Sequence, residues 1–262
     1  MVDSRVELVV VNYKTYALVQ RFIDSLKEFT PSVPFRVTLV DNETSDEVDL
    51  LNWDGIDNFR VIRSVENLGY AKACNLGSSD SDSEYIFLLN SDTRFINSEC
   101  IDVLTDYMDA NFDVGVVGPK QVDSYGRVTH AGIFGPGDSP AHRGWLVRDR
   151  GDTFTDVVDC LTVIGAAVFV RRSAWDAIAA DPIFRKHWPN AKGAMPEHFL
   201  YYEETALCYA MPKFGYRVVY NGEALMVHDW HQTISNVGEG SWFNQSRVLF
   251  RALMDDWGIV HD

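Results

Sequence analysis

The sequence predicts an α/β protein built on a mixed, mostly parallel sheet flanked by helices. Three observations lead there. Short apolar runs of strand length, at residues 7–11, 35–40, 59–62 and 85–89, alternate with stretches whose apolar residues recur at helical spacing. The run 85–89, Tyr-Ile-Phe-Leu-Leu, is apolar or aromatic throughout, as expected of a strand covered on both faces in the middle of a parallel sheet. Finally, three of the runs stop at polar residues: Asn12, Asp41 and Asn90-Ser91-Asp92. Parallel strands put such ends on one edge, and ligands of open α/β sheets sit beyond the carboxyl ends of the strands. Asp92 is thus placed either to hold a metal ion or polar ligand, or to cap the turn that follows.

The elements follow in order. Residues 7–11 form a β-branched buried strand. Thr15 stands as N-cap of a helix whose Leu18, Val19, Phe22, Ile23, Leu26 and Phe29 share one stripe, and Thr30-Pro31 closes it. A second strand (35–40), a polar turn at Thr44-Ser45-Asp46 and a third strand (59–62) come next. Gly69 permits a tight turn ahead of a short helix bearing Lys72 and Asn75. After the central strand, Ser98 caps a helix to Ala110, and residues 114–117 are a strand. Residues 123–156, including the Gly- and Pro-rich run 135–140, read as a binding loop or lid.

Strand character returns over 157–171, with Gly165-Ala166-Ala167 inside it; small residues there let a ligand or a packing neighbour come close. A short capped helix spans 173–180, and 184–198 reads as an irregular loop carrying Lys186, His187, Trp188 and Lys192. Residues 199–208 lead into a helix that Gly215 terminates. A strand at 216–220, an apolar run ending in His228 and His231, and a last helix from Ser241 to Trp257 complete the chain.

Composition narrows the function classes. At 262 residues with 46% hydrophobic content the chain can bury a sizeable core. The net charge of −15 disfavours nucleic acid or an anionic membrane surface as partner. Cys74, Cys100, Cys160 and Cys208 form no CxxC pair, so reduced, buried thiols are expected rather than zinc or disulfides. There is no secretory signal pattern and no apolar run of membrane-spanning length, so a soluble, cytoplasmic protein is expected. A GxGxxG fingerprint and a P-loop are both missing from the sequence.

Taken together, a set of motifs in fixed order resembles the family-2 glycosyltransferases of GT-A fold, most closely the rhamnosyltransferase-like branch. They are Val11-Asn12-Tyr13; Val40-Asp41-Asn42 with Thr44-Ser45-Asp46; Asn67-Leu68-Gly69-Tyr70-Ala71 with Asn75-Leu76-Gly77; Leu89-Asn90-Ser91-Asp92; Gly165-Ala166 before Arg171-Arg172; Tyr202-Glu203-Glu204 with Leu207-Cys208; and Gly215-Tyr216-Arg217-Val218-Val219, with His228 after them. Each alone is weak; their order and spacing carry the resemblance.

The resemblance implies one GT-A-like domain over residues 1–262, with a donor-binding half (1–119) and an acceptor-binding, catalytic half (120–262). It implies a nucleotide-diphosphate sugar donor, UDP-, dTDP- or GDP-linked, and a hydroxyl acceptor of glycan or glycoconjugate type. Asn12, Tyr13 and Asp41 would hold the nucleoside, and Asn67, Lys72, Asn75 and Asn90 would line the donor pocket. Asp92 corresponds to the last acid of the family's DXD motif, which holds a divalent ion, Mn²⁺ or Mg²⁺, on the diphosphate; His228 matches a histidine that completes the metal shell in some relatives. Inversion by in-line displacement needs a general base. The family's Glu-Asp pair falls on Glu203-Glu204, with Glu204 as base and Glu203 orienting loops or acceptor.

The chain departs from the pattern at Asn90 (Asp in many GT-A enzymes), at Glu204 (one methylene longer than Asp), and at Ala206 and Ala210, where the family continues with an Asp and an Arg. Two rival readings follow: a non-catalytic nucleotide-sugar-binding protein of the same fold, and a nucleotidyltransferase, which needs a Gly-rich basic loop where this chain has Asn12-Tyr13-Lys14-Thr15.

Overall fold

The structure, a computed structural model, describes residues 4–135, 141–229 and 242–261. His231, Ser241 and all but the first residue of the run 135–140 lie outside the described residues. The elements are β1 (Val6–Asn12), α1 (Tyr16–Glu28), β2 (Phe35–Asp41), β3 (Phe59–Arg63), α2 (Tyr70–Ser78), β4 (Tyr85–Asn90), β5 (Thr93–Phe95), α3 (Glu99–Ala110), β6 (Val114–Val122), β7 (Val128–His130), β8 (Ile133–Phe134), β9 (Ala141–His142), β10 (Val157–Asp159), β11 (Ala167–Arg171), α4 (Arg172–Ala180), α5 (Pro182–His187), α6 (Glu203–Ala210), β12 (Arg217–His228) and α7 (Trp242–Trp257).

The main sheet runs β10-β12-β6-β11-β4-β1-β2-β3, with β5 added to β12 and β7 to β6. The pairs β1–β2, β1–β4, β2–β3 and β6–β12 are parallel, while β11 runs antiparallel to both β4 and β6. This is the mixed, mostly parallel sheet the sequence predicts. Each inner strand feeds both faces. Along β4, Tyr85, Phe87 and Leu89 join the core under α1 and α3, while Ile86 and Leu88 join the core that α2, α4, α6 and α7 cover. Alternation across a doubly covered strand explains why the run 85–89 has no polar position.

Several local expectations need correction. Thr15 occupies the N-cap position of α1 but makes no capping bond; its amide and hydroxyl both donate to Asn12 Oδ1. Ser98 likewise caps nothing, and Asn97 Oδ1 instead accepts from the amides of Glu99 and Cys100. The strand expected over 157–171 is two short strands, β10 and β11, separated by residues that turn at the site edge. Part of the expected loop 184–198 is helix α5, which Asp181 caps through the amides of Ile183 and Phe184, with Pro182 opening the first turn. The expected strand 216–220 and the apolar run after it are one strand, β12, carried through an irregularity between Asn221 and Leu225.

The stretch 123–156 carries short strands and an anchor. The Lys120 ammonium, buried on β6, binds Asp149 at 3.0 Å and the Thr153 carbonyl at 3.0 Å, tying the loop to the sheet. Cys74, Cys100 and Cys208 are buried free thiols, and Cys160 is a partly exposed one. Among the described residues no helix is long and apolar enough to cross a membrane.

Candidate active site

Three strand ends meet on one edge because their registers align: Asn12 lies opposite Asp41, and Val11 opposite Asn90. Asn12 is fully buried and donates through Nδ2 to Asp41 Oδ1 at 2.7 Å. The other Asp41 oxygen accepts from the Tyr16 hydroxyl at 3.2 Å and from Thr44. Asp41 is therefore an ordered, buried carboxylate. Tyr13, next along the chain, is partly exposed, with the Lys14 ammonium 5.2 Å from its ring centroid.

The residues expected on the donor side divide. Asn67 accepts from Asn42 Nδ2 and from the Gly69 amide, each at 2.9 Å, and so shapes the turn into α2. Lys72 is exposed on α2. Asn75 is fully buried and bonds away from the strand ends: its amide meets Met195 O at 2.8 Å, Met195 N at 2.9 Å and Glu197 Oε1 at 3.2 Å. Its visible task is to hold the segment before α6.

Beyond β4, the Asn90 amide donates to Ala166 O at 3.0 Å and the Ser91 hydroxyl meets Thr15 Oγ1 at 2.7 Å. Asp92 and His228 are both buried, and Asp92 Oδ1 lies 3.5 Å from His228 Nε2. The cause is β5: it pairs antiparallel with β12, setting Thr93 opposite His228, and the Asp229 amide donates to Asp92 O at 3.1 Å. A carboxylate and an imidazole at this separation fit neighbouring positions around one divalent cation. Among the described residues no three His, Cys, Asp or Glu side chains gather as a metal shell. An ion held by Asp92 and His228 would take its remaining oxygens from a diphosphate and water.

Glu203 and Glu204, expected on the acceptor side, open α6. Glu204 is partly exposed and lies against Gly165, whose position would put a Cβ 3.2 Å from the Glu204 carboxyl carbon. Burial raises the Glu204 pKa above its ordinary value, and the nearby backbone amides of Glu204, Thr205 and Gly165 oppose that rise. Glu203 is buried with Oε2 unpartnered; burial, then the Glu204 charge, hold its pKa well above the ordinary value. A raised carboxylate pKa suits a group that must take up a proton near neutrality. Ala206 and Ala210 are fully buried in the core behind α6. A charged side chain there would be desolvated, so these departures remove no group from the cleft.

Read from the sequence, Gly69 permits a tight turn and Tyr70 has no role. The Tyr70 hydroxyl donates to Gly165 O at 2.7 Å, fixing the backbone against which Glu204 rests. Gly69, at φ +78°, leaves no room for a Cβ, which would fall 2.5 Å from Phe199 O. A polar aromatic following a left-handed glycine at a helix start is a signal that could have singled out this pair.

The comparisons agree with the geometry. The family model described as Glycosyl transferase family 2 matches residues 7–177. Three solved structures share the fold at 12–14% identity. One is a mannosyltransferase, PcManGT from Pyrobaculum calidifontis, in complex with GDP-Man and Mn²⁺ (14% identity, TM-score 0.57, 97% of this chain and 62% of that one). Another is GalNAc-T7 with UDP, GalNAc and Mn²⁺ (12%, TM-score 0.68, 97% and 49%). A third is S. aureus TarS 1–349 in complex with UDP-GlcNAc (14%, TM-score 0.63, 96% and 66%). The chain spans about half to two thirds of their lengths. A search of curated proteins gave no significant match.

Proposed function

The chain belongs to glycosyl transferase family 2, and we propose that it is a metal-assisted inverting glycosyltransferase. In this reading it moves a sugar from a UDP-, dTDP- or GDP-linked donor to a hydroxyl of a glycan or glycoconjugate. The order of its motifs favours the rhamnosyltransferase-like branch. Residues 1–119 form the donor half and 120–262 the acceptor and catalytic half.

One observation carries the reading. Asn90, on the strand beside the β1 and β2 ends that bear Asn12 and Asp41, and the helix start bearing Glu204 flank one piece of backbone: Ala166 O accepts from the Asn90 amide, and Gly165 lies against Glu204. The residues that this reading assigns to donor and base thus come from distant parts of the chain to neighbouring positions, which supports it. The three similar structures carry GDP-Man, UDP with GalNAc, or UDP-GlcNAc, which supports a nucleotide-sugar donor here.

The residues act as follows. Asn12 and Asp41, already locked by Tyr16 and Thr44, present a pre-formed polar floor to the nucleoside, with Tyr13 beside it. Asn67, Asn75 and Lys72 flank the donor, Asn67 and Asn75 by holding backbone and Lys72 by its exposed charge. Asp92 and His228 would hold the ion, and an imidazole ligand would tilt the choice from Mg²⁺ toward Mn²⁺. When bound, the ion neutralises charge developing on the leaving diphosphate. Glu204 accepts the proton of the attacking hydroxyl, and the backbone at Gly165 lies against its carboxyl group. Glu203, buried behind it, orients the helix start.

The test is release of nucleotide from a panel of UDP-, dTDP- and GDP-sugars with Mn²⁺ or Mg²⁺. The wild type turns over at least one donor, and Asp92→Ala and Glu204→Gln lose that turnover. Full activity in both variants overturns the assigned roles; nucleotide binding without turnover across acceptors favours the non-catalytic reading.

A further inference from the structure

The turn 199–202, which leads into the Glu203-Glu204 pair, is held in a conformation its own residues disfavour. Tyr201 and Tyr202 are consecutive, and both have left-handed backbone, at φ 73° and φ 67°. An L-residue in that region costs roughly 1–2 kcal/mol, and such residues persist only where the surroundings over-determine them. Neither is glycine or asparagine, so the cost is borne by contacts elsewhere.

Those contacts come from two helices. From α7, Trp242 stacks on Phe199 with ring centroids 4.3 Å apart, and Phe243 lies 5.6 Å from the Tyr201 ring and 5.1 Å from that of Tyr202. Phe250 packs 5.1 Å from Tyr202, and the Ser246 hydroxyl donates to Leu200 O at 2.7 Å. From α2, the Tyr70 amide donates to Phe199 O at 3.1 Å above the glycine that makes room for it. Tyr202 is also the N-cap of α6, so rotation about its backbone swings the first turn of that helix and the Glu204 carboxylate with it.

We propose that the aromatic face of α7 is the positioning device for the candidate base: by clamping Phe199, Leu200, Tyr201 and Tyr202 it sets where Glu204 points. The proposal deepens the glycosyltransferase reading and rests on Glu204 as base. Phe243, Ser246 and their neighbours are positioning residues; nothing places them against a substrate. The clamp also links the two halves of the site, because the same turn is bonded to the start of α2 on its other side. It predicts that loosening α7 changes proton transfer while leaving the nucleoside floor at Asn12 and Asp41 intact.

The experiment uses Phe243→Ala, which alters a half-exposed ring, and Ser246→Ala, which removes one hydroxyl. Amide hydrogen exchange is followed over residues 199–206, with α4 as internal reference. Nucleotide release from the same sugar-nucleotide panel with Mn²⁺ is followed against pH. Groups near Glu204 that could also titrate are Glu203 and Cys208 on α6, Tyr70 on α2 and Tyr202 in the turn. Expected in both variants are faster exchange confined to the turn and the start of α6, kcat lower by about tenfold, and donor KM within about twofold. The acidic limb of the rate profile moves to lower pH, because a loosened carboxylate is better solvated. Unchanged exchange overturns the clamp. Faster exchange with an unmoved limb and unchanged kcat makes α7 a structural prop only and overturns the positioning role. Full turnover of Glu204→Gln sinks the base assignment instead, and the exchange result then reads the clamp by itself.

Discussion

The Glu204 carboxylate rests against Gly165, and the glycine leaves only enough space for it: a Cβ at Gly165 would sit 3.2 Å from the carboxyl carbon and 3.4 Å from Oε1. Gly165 is itself held by the Tyr70 hydroxyl on its carbonyl. The candidate base therefore rests against backbone, whose position side-chain motion does not change.

Gly165→Ala is expected to displace the carboxylate by a few tenths of an ångström. Turnover should fall by about tenfold, equivalent to about 1.4 kcal/mol of transition-state stabilisation, with donor KM unchanged. Steady-state kinetics on the donor found by the panel checks this. An unchanged kcat would show that the Glu204 position is not critical.

Glu204→Gln removes the proton acceptor and is expected to lower kcat by about 10²–10⁴-fold. The wild-type rate should fall as pH drops through a pKa above the ordinary carboxylate range, because burial raises it. A limb at the ordinary range would point to a solvated carboxylate elsewhere.

Glu203 should make folding less favourable as pH rises. Its folded-state pKa is raised well above 4.5 by burial. Its contribution is thus fully present below the unfolded value and lost as pH climbs through the folded value. Glu203→Gln is expected to raise Tm at pH 8 and flatten the decline in Tm above pH 5, read by thermal melts across pH. A variant with the wild-type pH dependence would assign that decline to other groups.

Asp41→Ala strands Asn12 Nδ2, the Tyr16 hydroxyl and the Thr44 hydroxyl without their acceptor. A buried group left without a partner costs about 1–3 kcal/mol, so a Tm loss of several degrees is expected. In calorimetry at a temperature where the variant is folded, nucleotide binding should also weaken.

Asp92→Ala and His228→Ala should each abolish the extra stabilisation that Mn²⁺ brings in the presence of a nucleoside diphosphate, since a ligand binding only the folded state raises Tm. Retention of the full Mn²⁺ shift in both variants would place the ion elsewhere.

Much of the fold was legible because its signals are local. Apolar runs marked β1, β2 and β4, and their polar ends announced an edge. Where the structure departs from these signals, a nearby group competes. Thr15 was in cap position, but Asn12 Oδ1 offered its amide and hydroxyl a stronger partner. Asn97 outcompeted Ser98 for the amides of α3. The start of α5 is itself a local signal, an Asp181 N-cap with Pro182 in the first turn.

By itself the sequence determined the alternation of strands and helices, the doubly covered central strand, and which residue types stand at the strand ends. These follow from side-chain periodicity and local hydrogen bonding, which act over a few residues. Only the tertiary structure decided that β5 folds back on β12 and brings Asp92 to His228, that Asn75 serves the segment before α6, and that α7 grips two left-handed tyrosines ahead of Glu204. Each depends on which distant groups meet, and that is set by register and packing over the whole chain.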